Sequence, residues 1–266
     1  MDLSGKVALI TGAAQSQGRH HALSLAARGA DIIAVDICRQ IDFVPYRMGD
    51  EAGLDETVRL VEQLGGRIHA AVCDVRDAHG LRTVVDSAVL EFGGLDVVVA
   101  NASVCSVQTY DEVTADIWKT TMDINVGGVW NTCAAAIPHL VRRGGGSIVM
   151  IGSSGSVVGL PFYLPYTVSK HALVGMCRSL ALELSNMNIR VNAILPTGVD
   201  TPQGHSSVLP RLLEERPDLA GIFTNSLPVD RIEPADVFGA LSYLISDAAR
   251  YVTGVLLPVD AGSTVR

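Results

Sequence analysis

Seven apolar segments alternate with helical patterns along this chain, and this alternation limits the possible folds more than any other feature. Each segment is rich in Val, Ile, Ala and Leu and is apolar throughout, as expected for strands covered by helices on both faces. We predict strands at Val7–Thr11, Ile32–Asp36, Ile68–Asp74, Leu95–Asn101, Ser147–Ile151, Val191–Leu195 and Val255–Val259. The alternation predicts an α/β fold with a doubly wound parallel sheet of about seven strands and helices on both faces.

Two of the helical patterns show where they end. Apolar residues at helical spacing precede Gly29 and Gly65, and glycine is common just past the end of a helix. The sequence contains no internal repeat, no low-complexity tract and no linker rich in Pro, Gly and Ser. We therefore predict that residues 1–266 form a single domain.

Composition and charge argue against several classes of protein. A chain of 266 residues with 48% hydrophobic and 18% charged residues does not have the composition of a disordered protein. The formal net charge of −8 argues against nucleic acid as the main partner. The N-terminal residues lack the basic region and apolar core of a signal peptide, and no apolar run is long enough to span a membrane. We expect a cytoplasmic protein with no membrane partner.

The five cysteines do not follow a metal-binding or disulfide pattern. They are widely scattered and include no Cys-x-x-Cys pair. Their positions are Cys38, Cys73, Cys105, Cys133 and Cys177. We expect neither a disulfide framework nor a metal site, and we interpret most of these cysteines as small buried residues.

The stretch Gly152–Lys170 contains the side chains needed for proton transfer. Tyr166 and Lys170 stand four residues apart, and Pro165 can open a helix on which the two share a face. An ammonium beside a buried phenol can lower the phenol pKa well below its usual value of about 10, which makes Tyr166 a candidate proton donor and acceptor. Ser153 follows an apolar strand, and its hydroxyl can reach back to Tyr166. The three groups suit interconversion of an alcohol and a carbonyl, although a Tyr-x-x-x-Lys pair alone also occurs by chance.

The first predicted strand leads into a helix through a turn of small residues. The turn reads Thr11-Gly12-Ala13-Ala14-Gln15-Ser16-Gln17-Gly18. Small residues let the backbone approach a pyrophosphate, and the helix N-terminus supplies N–H donors and a positive dipole. The turn is a candidate dinucleotide site, and the alternative is an ordinary tight turn.

Asp36 ends the second predicted strand, where an acidic residue can accept hydrogen bonds from an adenosine ribose. A carboxylate there repels a 2′-phosphate, so NAD is favoured over NADP. Arg39 is close in sequence and weakens this preference, but no basic residue lies inside the first turn. The alternative is a carboxylate that only faces solvent.

Polar residues also follow the third and fourth predicted strands. Strand ends of this kind border the ligand crevice in an open parallel sheet. The carboxylate of Asp74 can accept a hydrogen bond from an adenine amine, with Val75 against the ring, and Asn101 follows the next strand. Asp74 and Asn101 can equally be helix caps or turn formers.

Asn125 interrupts a helical pattern that runs from about Ile117 to Ala136. Asparagine is mildly unfavourable within a helix and is often a satisfied polar group or a kink. Its position before the Ser/Tyr/Lys stretch suggests instead that Asn125 holds a water that relays the proton of Tyr166.

Residues 37–50 are longer than a usual connection of about 2–6 residues. They mix apolar, aromatic and proline residues, so we expect this insertion to pack close to the adenine half of a cofactor. Crystal or oligomer packing is the alternative.

Residues 203–227 have the composition of a substrate lid, although a plain surface excursion is the alternative. Before them, Pro196 and Gly198 stop the sixth strand and turn the chain over the crevice, where Thr201 can bond a carboxamide. Within the lid we interpret His205 as a bystander. Three apolar residues suggest an apolar pocket or a core: Val208, Leu212 and Phe223.

Together these motifs resemble the short-chain dehydrogenase/reductase family, from Gly5 to Gly262. The turn at Thr11–Gly18 is similar to the family's phosphate-binding turn, and Asn101-Ala102 is similar to its Asn-Ala-Gly segment. The resemblance implies a Rossmann-type fold, NAD as the cofactor, and a small-molecule alcohol or ketone as the substrate.

The resemblance also implies roles for single residues. Asn125, Ser153, Tyr166 and Lys170 match the catalytic tetrad, with Tyr166 moving the proton, Ser153 holding the substrate oxygen, and Lys170 lowering the phenol pKa and bonding the ribose. The implied cofactor contacts are Thr11, Gly12, Ser16, Gln17, Gly18, Asp36, Ile37, Asp74, Val75, Asn101, Ala102, Tyr166, Lys170, Pro196, Val199 and Thr201.

Two positions depart from the family pattern, because Ser16 and Ser103 stand where the family has glycine. If these positions have positive φ, each serine costs on the order of 1 kcal/mol or more. The departures give slight support to another class of function, a non-catalytic dinucleotide sensor.

A finer resemblance is to the mycofactocin-associated subfamily, which includes carveol dehydrogenases. It depends on Val35–Cys38, the insertion at 37–50 and Pro196–Pro202. The resemblance implies that the insertion covers NAD so that it exchanges poorly, and that a separate redox carrier, mycofactocin, reoxidises it. The resemblance to the wider short-chain dehydrogenase/reductase family implies a homotetramer. The alternative is freely exchangeable NAD with a steroid, sugar or acyl substrate.

Overall fold

The computed structural model describes residues 1–205 and 207–265. Within these residues a seven-stranded sheet has the order β3-β2-β1-β4-β5-β6-β7, with every neighbouring pair parallel. The strands are β1 (Val7–Thr11), β2 (Asp31–Asp36), β3 (Ile68–Val72), β4 (Val97–Ala100), β5 (Gly146–Ile151), β6 (Ile189–Pro196) and β7 (Leu256–Val259). The predicted doubly wound parallel sheet is confirmed.

Helices connect the strands and cover both faces of the sheet. They are α1 (Ser16–Ala26), α2 (Glu51–Gln63), α3 (Ala78–Phe92), α4 (Ala115–Met122), α5 (Val129–Arg143), α6 (Leu164–Glu183), α7 (Val208–Glu215) and α8 (Pro234–Ile245). The chain builds β1 to β3 outward in one direction and then returns to place β4 on the other side of β1. The carboxyl ends of β1 and β4 therefore border the crevice where this class of sheet binds ligands.

The core lies in two layers, one on each face of the sheet. Leu9 and Ile10 are neighbours in β1, yet Leu9 packs in the layer of α3, α5 and α6, and Ile10 packs in the layer of α1, α2 and α8. Both side chains are completely buried. This explains why the strand segments are continuously apolar, because each face of each strand needs apolar side chains.

The helical pattern around Asn125 is divided by a wider turn. A π-helical segment at Asp123–Gly128 joins α4 to α5, with Asn125 inside it. Such π-bulges are frequent at functional sites. The predicted helical run is confirmed, with this π-helical segment inside it.

All five cysteines lie within the described residues, and each has a free thiol. Across residues 1–205 and 207–265, the structure contains no group of three or more acidic, histidine or cysteine side chains that could hold a metal ion. None of the helices in this part of the chain has the length and apolar character needed to cross a bilayer.

His21 on α1 is a buried histidine that we expect to make stability depend on pH. The ring is fully buried, and neither of its nitrogens has a hydrogen-bond partner within the described part of the chain. Burial, helped by the nearby charge of His20, lowers the pKa of His21 to about 3. An unfolded histidine titrates near 6.5, so the unfolded state binds the extra proton between these values. The stability contribution is complete above about pH 6.5 and is lost as the pH falls toward 3.

Replacing His21 with leucine should therefore flatten the dependence of unfolding free energy on pH. At pH 4.5 the wild-type chain should have lost roughly 2–3 kcal/mol through this group, and the His21→Leu variant should not show that loss. Urea denaturation at pH 7.0, 5.5 and 4.5 measures the difference, with His79→Leu at an exposed position of α3 as the matched control. Equal pH slopes for the wild type and His21→Leu would contradict the prediction.

Candidate active site

Two adjoining cavities open at the carboxyl ends of the strands. The first, here called the cleft, has a volume of about 130 Å³ and lies at the ends of β1, β2, β3 and β4. The second, here called the cavity, has a volume of about 580 Å³ and lies beside β5, β6 and residues 203–231. The wall between them is shared, and the residues that line both are Gln17, Asn101, Ser103, Thr201 and Gln203.

The predicted Ser/Tyr/Lys set converges on the cavity. Ser153, Tyr166 and Lys170 all line it. Pro165 lies in the first turn of α6, as predicted, so Tyr166 and Lys170 occur one turn apart on its buried face. The Lys170 Nζ lies 5.5 Å from the centroid of the Tyr166 ring.

Lys170 is a fully buried cation with one fixed partner. Its Nζ donates to the carbonyl oxygen of Ile151, the last residue of β5, at 2.8 Å. Burial lowers the pKa of Lys170 to about 8. The ammonium therefore titrates close to neutrality and keeps two donors for other acceptors.

The Tyr166 phenol differs from the sequence expectation. Burial first, and Cys105 second, raise the pKa of Tyr166 well above its usual value, while hydrogen bonds with Ser153 and Gln203 lower it. The predicted depression of this pKa is therefore wrong for the chain by itself. The physical reason is that the phenol and the ammonium are both removed from water, which disfavours the charged form of each.

Ser153 is held at the start of a short 3₁₀ turn. Its Oγ accepts a hydrogen bond from the N–H of Gly155 at 3.1 Å, and its own N–H donates to Ser156 Oγ at 3.1 Å. A hydroxyl that accepts one bond from the backbone still has its proton to donate. Ser153 can therefore donate to an oxygen placed beside Tyr166.

Asn125 connects the loop after β4 to α6, the helix that carries Tyr166 and Lys170. Its Oδ1 accepts from the N–H of Val104 at 2.8 Å, and its Nδ2 donates to the carbonyl of Val104 at 2.8 Å and to Ser169 Oγ at 3.0 Å. Ser169 in turn donates to the carbonyl of Tyr166 at 2.7 Å. Among the described residues that line the cleft or the cavity, Asn125 does not occur.

Both amide hydrogens of Asn125 are used by Val104 and Ser169, so a relay water at this residue would have to donate to one of its oxygens. The relay role of Asn125 stays a prediction. The side chain ties the loop after β4 to the helix that carries Tyr166. The sequence alternative of a satisfied polar group describes it correctly.

At the turn after β1, the backbone of Gly18 packs directly against the backbone of Gly12, and both residues line the cleft. Gly12 has φ +72°, and a Cβ on Gly18 would lie 1.9 Å from the carbonyl oxygen of Gly12. The two serine departures behave differently: Ser16 has φ 51°, as predicted for a glycine position, whereas Ser103 is not in the left-handed region. The condition for a strain cost is therefore met at Ser16 and not at Ser103.

Thr11 does not contact the cleft directly. Its hydroxyl is buried and accepts hydrogen bonds from the N–H groups of Asn101 and Ala102, both at 3.2 Å. The Nδ2 of Asn101 donates to the Thr11 carbonyl at 2.9 Å. Thr11 therefore fixes the end of β4 against β1 and positions Asn101 and Ala102, which line the cleft. The cofactor-binding role of Thr11 stays a prediction, and the position of its hydroxyl supports a role through Asn101 and Ala102.

Asp36 and Asp74 both line the cleft, but they differ in burial and in hydrogen-bond partners. Asp36 is buried, and its oxygens accept from the N–H groups of Ala14 and Cys38, both at 2.9 Å. Asp74 forms an ion pair with Arg76 through both carboxylate oxygens. Burial opposes ionisation of Asp74, but the hydrogen bonds and charge of Arg76 lower its pKa overall. Arg76 therefore competes with any adenine amine for this carboxylate.

The insertion at 37–50 forms the outer wall of the cleft. Its cleft-lining residues are Ile37, Ile41, Tyr46, Met48 and Gly49. The buried Val44 of the insertion packs with Val75, Val104 and Ile124 in a small apolar cluster of its own. The expected packing of the insertion near the cofactor site agrees with this position.

Residues 203–227 form much of the cavity wall. Pro196, Val199 and Thr201 precede them and also line the cavity, as does Phe223. The other two apolar residues suggested from sequence are not among its described lining: Leu212 is buried away from the cavity, and Val208 does not line it. His205 is exposed, bonds with the Asp200 carboxylate and is absent from the described lining, as expected of a bystander.

Tyr46 and Gln203 were not assigned roles from the sequence, although both line the cleft. Neither belongs to a motif or a periodic pattern. Only the approach of three remote segments brings them together, and no local signal in the sequence could have found them.

Comparisons with known proteins agree with this geometry. A family model described as enoyl-(acyl carrier protein) reductase matches residues 12–264. The (−)-trans-carveol dehydrogenase of Rhodococcus erythropolis is 41% identical over 99% of this chain and 99% of its own length.

Two solved structures are similar over the full chain. A short-chain dehydrogenase from Mycobacterium paratuberculosis bound to NAD has 45% identity, a TM-score of 0.98 and complete coverage of both chains. A carveol dehydrogenase from Mycobacterium avium in complex with NAD has 42% identity, a TM-score of 0.94 and 99% coverage of both chains. The chain belongs to the short-chain dehydrogenase/reductase family.

Proposed function

We propose that this chain is an NAD-dependent oxidoreductase that interconverts a secondary alcohol and a ketone. One observation carries the proposal: Ser153, Tyr166 and Lys170 converge on a cavity that shares a wall with a glycine-lined cleft. Proton-transfer groups beside a dinucleotide site are the arrangement that alcohol oxidation needs.

The cleft fits a dinucleotide. Gly18 lies in the first turn of α1, and a Cβ there would clash with the Gly12 carbonyl, so glycine allows the turn after β1 to pass close to the start of this helix. Helix N-termini of this kind bind phosphate. The Oε1 of Gln17 is buried on the shared wall without a hydrogen-bond partner among the described residues, so it can accept one from a ligand. The Asp36 carboxylate in the cleft repels a 2′-phosphate, which favours NAD over NADP.

The chain's own residues supply the proton chemistry. NAD, when bound, supplies the acceptor or donor of the hydride. In the oxidation direction Ser153 donates to the substrate oxygen, and Tyr166 accepts the hydroxyl proton. Lys170 provides a buried positive charge beside the phenol, which favours its ionised form as the proton moves.

An apolar alcohol is the substrate class that we propose. The cavity walls include Leu160, Leu209, Ile222 and Phe223, while Ser153 and Tyr166 supply polar groups at one end. Two relatives above 40% identity are named as carveol dehydrogenases, and carveol is a small apolar secondary alcohol.

We also propose that the insertion at 37–50 keeps NAD in place between turnovers. Support comes from its position as the outer wall of the cleft and from the packing of Val44 against Val75 and Ile124. A dinucleotide held in this way needs a separate redox carrier, for which mycofactocin is the candidate.

A homotetramer is proposed on the family resemblance, and residues 203–227 are proposed as the substrate lid.

Denaturing the purified protein tests the retained cofactor. We expect acid or heat to release about one NAD(H) per chain and no NADP(H), measured by chromatography of the supernatant. With carveol and no external carrier, turnover should stop after about one equivalent, and an artificial electron acceptor should restore it. The matched control is the same protein after repeated dialysis, which should retain its dinucleotide. An empty preparation with fast multiple turnover on added NAD would instead support the freely exchanging enzyme.

A further inference from the structure

The hydroxyl of Tyr46 joins three segments that are remote in sequence. It accepts a hydrogen bond from the backbone N–H of Cys105 at 3.1 Å and donates one to Oε1 of Gln203 at 3.4 Å. Tyr46 belongs to the insertion at 37–50, Cys105 to the loop after β4, and Gln203 to the start of the 203–227 segment. The contact therefore ties the outer wall of the cleft to the edge of the cavity.

Gln203 extends this connection to the catalytic phenol. It lines both the cleft and the cavity, and Tyr166 lines the same cavity. Hydrogen bonding from Gln203 is also among the causes that lower the pKa of Tyr166. An ionised phenol has no proton of its own, so an amide beside it can stabilise it only by donating an N–H.

The orientation of the Gln203 amide is set by Tyr46. The Tyr46 hydroxyl already accepts the N–H of Cys105, so its single proton points toward Oε1 of Gln203. With Oε1 occupied, the amide nitrogen is left for Tyr166. A flipped amide would place its oxygen against the phenol oxygen and would lose the donor there.

We propose that Tyr46 and Gln203 are positioning residues for proton transfer: Tyr46 fixes the Gln203 amide, and the Gln203 N–H donates to the oxygen of Tyr166. This inference rests on the proposed function, in which Tyr166 carries the proton. It also means that a residue of the cleft wall affects the chemistry in the cavity. The alternative is that Tyr46 and Gln203 only form part of the walls and have no effect on the Tyr166 phenol.

Other titratable groups also surround Tyr166 and stay constant in the test. Lys170 lies over its ring, the buried thiol of Cys105 is close, and Tyr163 has its ring centroid 6.1 Å away. Since none of these groups is changed, a shift in the phenol titration reports the loss of the Gln203 donor.

The direct test is a titration of the phenol without turnover. A fluorinated tyrosine introduced at position 166 brings the phenol into an accessible pH range, and ¹⁹F NMR follows its ionisation. Gln203→Leu should raise the phenol pKa by about one unit. Gln203→Glu keeps the size of the side chain but replaces the donor with a negative charge, so its increase should be larger.

Tyr46→Phe should give a smaller increase, because the amide remains but loses its tether. The double variant Tyr46→Phe/Gln203→Leu should equal Gln203→Leu alone, since Tyr46 acts only through Gln203. Tyr110→Phe, at a residue that is 82% exposed, is the matched control and should leave the titration unchanged.

Activity gives a second readout. In the oxidation direction the phenol must be ionised, so a higher pKa should move the rise of kcat/KM to higher pH and lower its value at pH 7 about tenfold for Gln203→Leu. Unchanged titrations in both Gln203 variants would overturn the inference, and additive effects in the double variant would overturn the role of Tyr46. Because the ¹⁹F titration needs no substrate, failure of the proposed function would appear separately, as a wild-type chain that ionises Tyr166 but oxidises no alcohol.

Discussion

Replacing Tyr166 with phenylalanine is expected to lower kcat by about three orders of magnitude and to leave dinucleotide binding nearly unchanged. General acid–base groups contribute on the order of 10²–10⁴ to rates, and Tyr166 is the group placed to move the substrate proton. The substitution keeps the aromatic ring, which packs 6.1 Å from the Tyr163 ring and 5.5 Å from Lys170 Nζ. The loss should therefore come from the missing hydroxyl and not from a collapsed cavity.

The measurement compares kcat, the affinity for NAD and the melting temperature of the Tyr166→Phe variant with those of the wild type. Tyr110→Phe serves as the control, because it removes a hydroxyl from an exposed residue outside both cavities. A Tyr166→Phe variant with wild-type kcat would refute the assignment of the proton carrier. A variant that lost NAD affinity and turnover together would show that the hydroxyl acts in binding.

Replacing Gly18 with alanine should abolish tight dinucleotide binding. A Cβ at this position would lie 1.9 Å from the carbonyl oxygen of Gly12 and 2.7 Å from its carbonyl carbon. Both atoms belong to the backbone, so no side chain can move aside, and the start of α1 must shift away from β1. A displacement of about 1 Å in a binding site can cost a factor of about 100, and overpacking costs roughly 1–3 kcal/mol of stability.

We expect the Gly18→Ala variant to show about a hundredfold weaker NAD binding by calorimetry and a lower free energy of unfolding in urea. Gly239→Ala is the matched control: Gly239 is exposed within α8, and a Cβ there would meet nothing within 4 Å. Since alanine favours helix over glycine, this control should gain about 0.5–1 kcal/mol and bind NAD normally. Wild-type NAD affinity in Gly18→Ala would mean that the turn does not approach the cofactor closely.

Features that depend on local chemistry could be predicted from the sequence. The seven strands, the helix that opens at Pro165 and the shared face of Tyr166 and Lys170 follow from apolar patterns and residue spacing. The positive φ of Ser16 also follows from the sequence, because the turn requires it. These features involve residues close in the chain, so the sequence carries their physical cause.

Roles that depend on contacts between remote segments could not be predicted in the same way. The sequence points Thr11 to the cofactor and Asn125 to proton relay, and it gives no sign that both side chains bond with the loop after β4. Serines at two equivalent-looking glycine positions were expected to behave alike, yet only Ser16 is left-handed. Spacing identifies which residues are polar, whereas the fold decides what each polar atom meets.

The sequence alone determined the doubly wound sheet, the glycine turn at its first crossover and the positions of Ser153, Tyr166 and Lys170 around one cavity. Only the tertiary structure decided the direction of the Tyr166 pKa, because desolvation depends on how much protein surrounds a group and not on its neighbours in sequence. It also decided the contact between Tyr46 and Gln203, which lie 157 residues apart in the sequence. Local sequence patterns determine which segments form strands and helices. Packing between remote segments determines which polar atoms already have hydrogen-bond partners and which remain available to a ligand.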